Sequence, residues 1–236
     1  MRKFLTAMFL ISSLGAWVSA SGAEIIERIV AVVNKNPILL SDWDEALRCE
    51  ALLAGRAPES FNEEERRAAF DRLVDQELLR EQMSSYLLPP IADAEVQNRL
   101  QEVRKQLAGG DDKKWKSLLA EAGVSEDELR ERLRVQAEIE RFVDVRFRSG
   151  IRIDERSVNH YYWDQFLPEL RKEGGTDVPL ESVAGKIREI LIQQQMEEQL
   201  SAWLQTLREQ TEIRIPGDAS PATTAAPETK ANSKSE

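Results

Sequence analysis

Residues 28–42 read RIVAVVNKNPILLSD. Ile29, Val30, Val32 and Val33 are β-branched, Asn34-Lys35-Asn36-Pro37 supplies turn chemistry, and Ile38-Leu39-Leu40 returns as a second apolar run. That order predicts a small β-hairpin whose first strand runs from Glu24 to Val33. Ser41 and Asp44 follow at capping-box spacing, where a hydroxyl can accept from an exposed amide and a carboxylate favours the positive end of a helix. A helix is predicted from Asp42 to Ala54.

Outward from this stretch the apolar period changes from two to between three and four. Asn62 with Glu63, Glu64 and Glu65 starts a long amphipathic helix in which Phe70, Leu73, Val74, Leu78 and Leu79 form the stripe, ending near Tyr86 before Pro89-Pro90. Asp93 opens a helix through Val96, Leu100, Val103 and Leu107 to Gly109-Gly110, and a short one carries Trp115, Leu118 and Leu119 to Gly123. Ser125 and Glu128 cap the next, whose broad apolar face holds Leu129, Leu133, Val135, Ile139, Phe142, Val143 and Phe147. After the extended connector Ile151-Arg152-Ile153, Asp154 caps a helix with Val158, Tyr161, Tyr162 and Phe166, and Lys172 to Pro179 reads as a loop. Leu180 to about Glu209 reads as one helix, and Glu212 to Ile215 alternates as a terminal strand. The fold class is therefore mostly α.

Both ends of the chain differ from this middle. Arg2 and Lys3 precede an apolar run from Phe4 to Val18, which is the pattern of a signal peptide and is short of the ~20 residues a membrane span needs. Cleavage after Ala20 or Ala23 is expected, so residues 1–23 are assigned to the signal and the mature protein to the periplasm. Residues 217–236 are rich in Pro, Ala, Thr, Ser and Lys without apolar period, and a disordered tail is expected there. The formal net charge is -10, two charges more negative once Arg2 and Lys3 leave, which disfavours nucleic acid and anionic lipid as partners. One cysteine, Cys49, allows no internal disulfide and no cysteine-based metal site, so stability must come from packing.

The hairpin and cap quoted above, Phe70-Asp71-Arg72-Leu73-Val74-Asp75-Gln76-Glu77-Leu78-Leu79, Ile91-Ala92-Asp93-Ala94-Glu95-Val96, and Gly123 to Leu129 leading to Ile151-Arg152-Ile153 resemble successive motifs of the SurA chaperone family, in the family's order. The resemblance covers roughly Glu24 to Ile215. It implies a multi-helix core, related in design to the peptide-binding part of trigger factor. In that core residues 24–153 form the N-terminal chaperone domain, and residues 154–216 return a helix and a strand to complete it beside the hairpin. Family members commonly insert parvulin-type isomerase domains before the closing helix, whereas this chain has only Asp154 to Pro179 there. Parvulin sites also draw on paired histidines, and His160 stands alone. The resemblance thus implies a chaperone with no catalytic residues, not an enzyme, whose clients are unfolded envelope or outer-membrane proteins.

The residues themselves offer little chemistry beyond apolar surface. His160 and Asp164 share a helix face, yet no nucleophile or second ligand accompanies them. No glycine loop for phosphate is present, so neither nucleotide nor other cofactor, nor a metal, is expected. Long helices joined by polar loops leave grooves, and an apolar groove binds extended chains by burial without a specific sequence. Met83, Tyr86, Trp115, Phe142, Trp163 and Phe166 are the candidate peptide-binding residues. The rival readings are a dedicated adaptor of one envelope partner and a non-canonical prolyl isomerase.

Overall fold

The computed structural model describes residues 27–216. The expectations placed on the signal at 1–23 and the tail at 217–236 lie outside them. Strand β1 (Ile29–Val33) pairs antiparallel with β2 (Asn36–Leu39), and Val33 lies opposite Asn36 across a tight turn. Asn34 takes the left-handed conformation at φ 54°, which asparagine tolerates better than most residues. Pro37 sits inside β2, permitted because β2 is an edge strand.

Helix α1 (Leu40–Leu53) starts two residues earlier than its Ser41/Asp44 spacing predicts. The Leu39 N–H donates to the Asp42 carboxylate at 2.9 Å, so Asp42 reaches back to close the helix end and Ser41 falls within the first turn. Helix α2 (Glu63–Met83) has the expected reciprocal cap: the Glu65 N–H donates to the Asn62 side chain at 2.8 Å, and the Asn62 N–H donates to the Glu65 carboxylate at 2.9 Å. It stops three residues short of Tyr86, where the Ser84 hydroxyl donates to the Glu81 carbonyl and competes with the helical ladder.

Helices α3 (Asp93–Ala108) and α4 (Asp112–Ala122) end on Gly109 and Gly123, both left-handed at φ 64°. Helix α5 (Glu126–Phe147) carries the Ser125/Glu128 cap. The segment expected as one helix after Asp154 is three pieces: α6 (Glu155–Tyr161), a π turn (Tyr162–Phe166) and α7 (Leu167–Lys172). Pro168 explains the widening, since it lacks the N–H for the preceding turn and its ring crowds the carbonyl four residues back.

Helix α8 (Leu180–Gln210) packs in turn on α6 and the π turn, on α5 and on α2, and β3 (Ile213–Arg214) follows it. β3 pairs antiparallel with β1, Val32 opposite Arg214 and Val33 opposite Ile213, giving the sheet order β2-β1-β3. The Asn34 N–H donates to the Glu212 carbonyl at 2.9 Å. Arg208 fastens the same end, donating to the Asp75 carboxylate at 2.7 Å and the Asp71 carbonyl at 2.9 Å. The two ends of the described chain therefore meet in one sheet, the arrangement that the resemblance implies.

Four apolar clusters result among the described residues. One joins the hairpin, α1, α2 and Leu207 around Trp43, and a second encloses Trp115 among α1, α3, α4 and α5. A third sits around Phe142 where α2, α5 and α8 meet. A fourth, with Val158, Tyr162, Leu167 and Ile187, packs α6, the π turn and α7 on the first half of α8.

Candidate functional site

The apolar face of α5 and the second half of α8 are brought together by aromatic rings. Phe142 is fully buried. Tyr86 stands edge-on to it with ring centroids 4.9 Å apart, and Trp203 of α8 lies tilted at 5.9 Å and meets Phe147 at 5.7 Å. The Arg146 guanidinium covers Trp203 at 4.1 Å from the ring centre and donates to the Tyr86 hydroxyl at 2.8 Å. These contacts fix the spacing of the two helices.

Beside this knot, α3, α5 and α8 do not close on each other. A cavity of about 490 Å³ remains, floored by Ile139 and Val143 of α5 with Met196 and Leu200 of α8, and rimmed by Glu95, Arg99, Glu140, Arg141, Asp144, Gln193 and Glu197. The floor residues of α8 recur four apart, so they share one helix face. A smaller recess of about 150 Å³ adjoins it across Arg141, lined by Met83, Tyr86, Leu88, Pro89, Pro90 and Glu138. Arg141 donates to the Pro89 and Pro90 carbonyls, each at 3.0 Å, and to Glu95 at 2.7 Å, which holds the loop between α2 and α3 against α5. Arg99 is bound to Glu140 at 2.7 Å, and that bond holds the guanidinium still more firmly in its charged form.

The six sequence candidates fall in three places rather than one. Met83, half-buried, and Tyr86, exposed, line the small recess. Phe142 lies beneath Tyr86, sealed by Trp203, and offers no surface to a ligand. Trp115 is also closed, at 2% exposure in the cluster of α3 and α4, its indole N–H donating to Glu126 at 2.8 Å. For both, sealing by neighbours from other helices replaces the open wall expected of them. Trp163 (61% exposed) and the half-buried Phe166 belong to the π turn on the first half of α8. Phe166 there lines a separate cavity of about 520 Å³ with Tyr161 and Leu170.

Of the floor residues, Ile139 and Val143 stood on the broad apolar face of the helix after Ser125 without being chosen as candidates, and Met196 and Leu200 join them from α8. Glu138 and Glu197 carried no signal in the sequence, since isolated glutamates on amphipathic helices are ordinarily solvated. His160 does contact Asp164, on an exposed face away from the α5–α8 groove. Burial pushes the Cys49 thiol up to about 11, so it is an inert core thiol. Among the described residues, no group of three or more His, Cys, Asp or Glu side chains is placed to hold a metal ion. No described helix is long and apolar enough to cross a membrane.

The family model of the SurA-like N-terminal domain matches residues 3–143. The match takes in β1 to α5 as far as the groove floor at Val143, and stops before α8. Among curated proteins, the Chaperone SurA of Hydrogenovibrio crunogenus (strain DSM 25203 / XCL-2) is 29% identical over 169 residues, covering 70% of this chain and 37% of that protein. The chain therefore matches well under half the length of that relative.

Proposed function

This chain belongs to the family of SurA-like N-terminal domains, and from that premise we propose that it is an ATP-independent holdase that shields unfolded envelope proteins, outer-membrane β-barrel precursors among them, in the groove between α5 and α8. The observation that carries this reading is the return of β3 to β1, which lays α8 beside α5 while the cavity of about 490 Å³ stays open. Its apolar floor can bury side chains of an extended client, and its polar rim leaves the client backbone hydrated.

Burial of ~500 Å² of apolar client and groove surface at ~25 cal/mol/Å² gains about 12 kcal/mol gross. Ordering a flexible client offsets much of this, leaving affinity on the order of micromolar. Such a complex releases its client without an energy source. Periplasmic action, after removal of residues 1–23 or 1–20, is part of the same proposal.

The test is aggregation of an unfolded outer-membrane β-barrel protein on dilution from denaturant, with and without the purified chain and without nucleotide. Suppression is expected at near-stoichiometric amounts. Unchanged aggregation at a large excess of chain would remove the holdase reading. Capture of many unrelated clients from envelope extract separates it from an adaptor, which would return one stable companion. A proline-limited refolding assay is expected to show no acceleration.

A further inference from the structure

The cationic groups of the groove are already occupied, whereas two of its carboxylates are not. Arg99 is held by Glu140 and Glu95, at 2.7 and 3.5 Å. Arg141 is held by Glu95 and by the Pro89 and Pro90 carbonyls. Asp144 is paired with Arg148 at 3.2 Å. Glu197, on the α8 rim of the large cavity, and Glu138, in the small recess, meet no basic side chain among the described residues; the nearest partner of Glu197 is the Gln193 amide at 3.5 Å. Glu197 borders the large cavity and Glu138 the recess that adjoins it across Arg141, so the charge left for an occupant of either is negative.

Resting on the client-holding reading above, we propose that the groove prefers client segments in which a lysine or arginine accompanies apolar side chains. The apolar part sits on Ile139, Val143, Met196 and Leu200, and the cation reaches Glu197 or Glu138. An acidic residue at either place meets an unpaired carboxylate and finds both arginines engaged.

The experiment uses the purified chain and three short fluorescent peptides of identical Leu/Ala composition, carrying a central Lys, Glu or Gln. At low salt the Lys peptide is expected to bind about fivefold more tightly than the Glu peptide, as one weak exposed ion pair gained and one like-charge contact avoided allow, and the gap is expected to close at high salt. In the double variant E138Q/E197Q the Lys peptide should bind no more tightly than the Gln peptide binds that same variant. Equal binding of Lys and Glu peptides, or a preference that survives the double variant, overturns the proposal. If no peptide binds while barrel aggregation is still suppressed, the proposal falls and the holdase reading stands; if suppression is also absent, both fall.

Discussion

The cluster around Trp115 and the cluster around Phe142 are built from the same kinds of residue, yet the first has a recess of only about 140 Å³ beside Leu52, Leu118 and Ala122 whereas the second borders the cavity of about 490 Å³. The Trp115 cluster draws on residues from Ile91 to Ala137, with Cys49 and Leu52 of α1, and only Val103, Leu107 and Leu118 remain half-covered at its edge. Its helices α3, α4 and α5 follow one another through the tight turns at Gly109 and Gly123, and α3 packs on both α4 and α5 while α4 packs on α1. The Phe142 cluster needs Met196, Leu200 and Trp203 from far along the chain, and its edge is wide: Met83, Leu88, Ile139, Phe147 and Leu200 are all partly covered. Where distant segments meet over one aromatic knot, the neighbouring surface is left apolar and unfilled.

The largest effects test that contrast through stability. Trp115→Ala and Phe142→Ala should each cost about 3–5 kcal/mol, since both remove a fully enclosed ring. They should differ at Cys49. In chemical denaturation with thiol labelling at mildly alkaline pH, Trp115→Ala is expected to expose Cys49 at low denaturant, because both residues belong to one cluster. Phe142→Ala should leave that thiol protected while loosening α8. Equal labelling in the two variants would mean that the clusters are a single unit.

The next effect is on client binding. Ile139→Ser with Leu200→Ser removes apolar groove surface and should weaken peptide affinity about tenfold, at the transfer cost of a few exposed methylenes. Val103→Ser with Leu107→Ser, the matching change at the edge of the closed cluster, should leave affinity within about twofold of the parent, the scale of ordinary surface substitutions. Fluorescence anisotropy of one labelled peptide measures both. Similar losses in the two pairs would erase the distinction between the regions.

The smallest effect concerns the rim of the closed cluster. Burial, with Glu128 nearby as a lesser cause, raises the Glu45 carboxyl above the usual carboxylate range. A carboxyl raised in the folded state takes up its proton more readily folded than unfolded, so it costs stability once ionised and the cost disappears as pH falls through its folded value. Glu45→Gln should therefore raise Tm slightly at neutral pH, with the gain vanishing in acid. Thermal scans across that range check the sign.

The local parts of this fold were legible in the sequence. Asn62 with Glu65 and Ser125 with Glu128 act through hydrogen bonds within four residues, and Gly109 and Gly123 end helices by their own backbone freedom, so spacing alone exposed them. The start of α1 was misplaced because two acceptors, Ser41 and Asp42, compete within one turn and only the backbone path decides between them. The π turn was missed because Pro168 acts on residues before it, where the apolar spacing still reads as helix. Trp115 and Phe142 are aromatic whether they line a groove or fill a core. Their burial is decided by Glu126, Tyr86 and Trp203, each outside the helix that carries the ring it covers, which no periodicity reveals. The groove floor was half visible as the stripe of α5, and its other half depended on where α8 returns.

The central claim is that clients lie between α5 and α8 and not on the other apolar or aromatic surfaces. A photo-reactive phenylalanine analogue placed in turn at Leu200, Leu107 and Trp163, followed by irradiation with an unfolded outer-membrane β-barrel protein, tests it directly. Strong crosslinking from position 200 and background yield from positions 107 and 163 is the predicted result; yields from position 107 or 163 that equal or exceed those from position 200 would contradict the account.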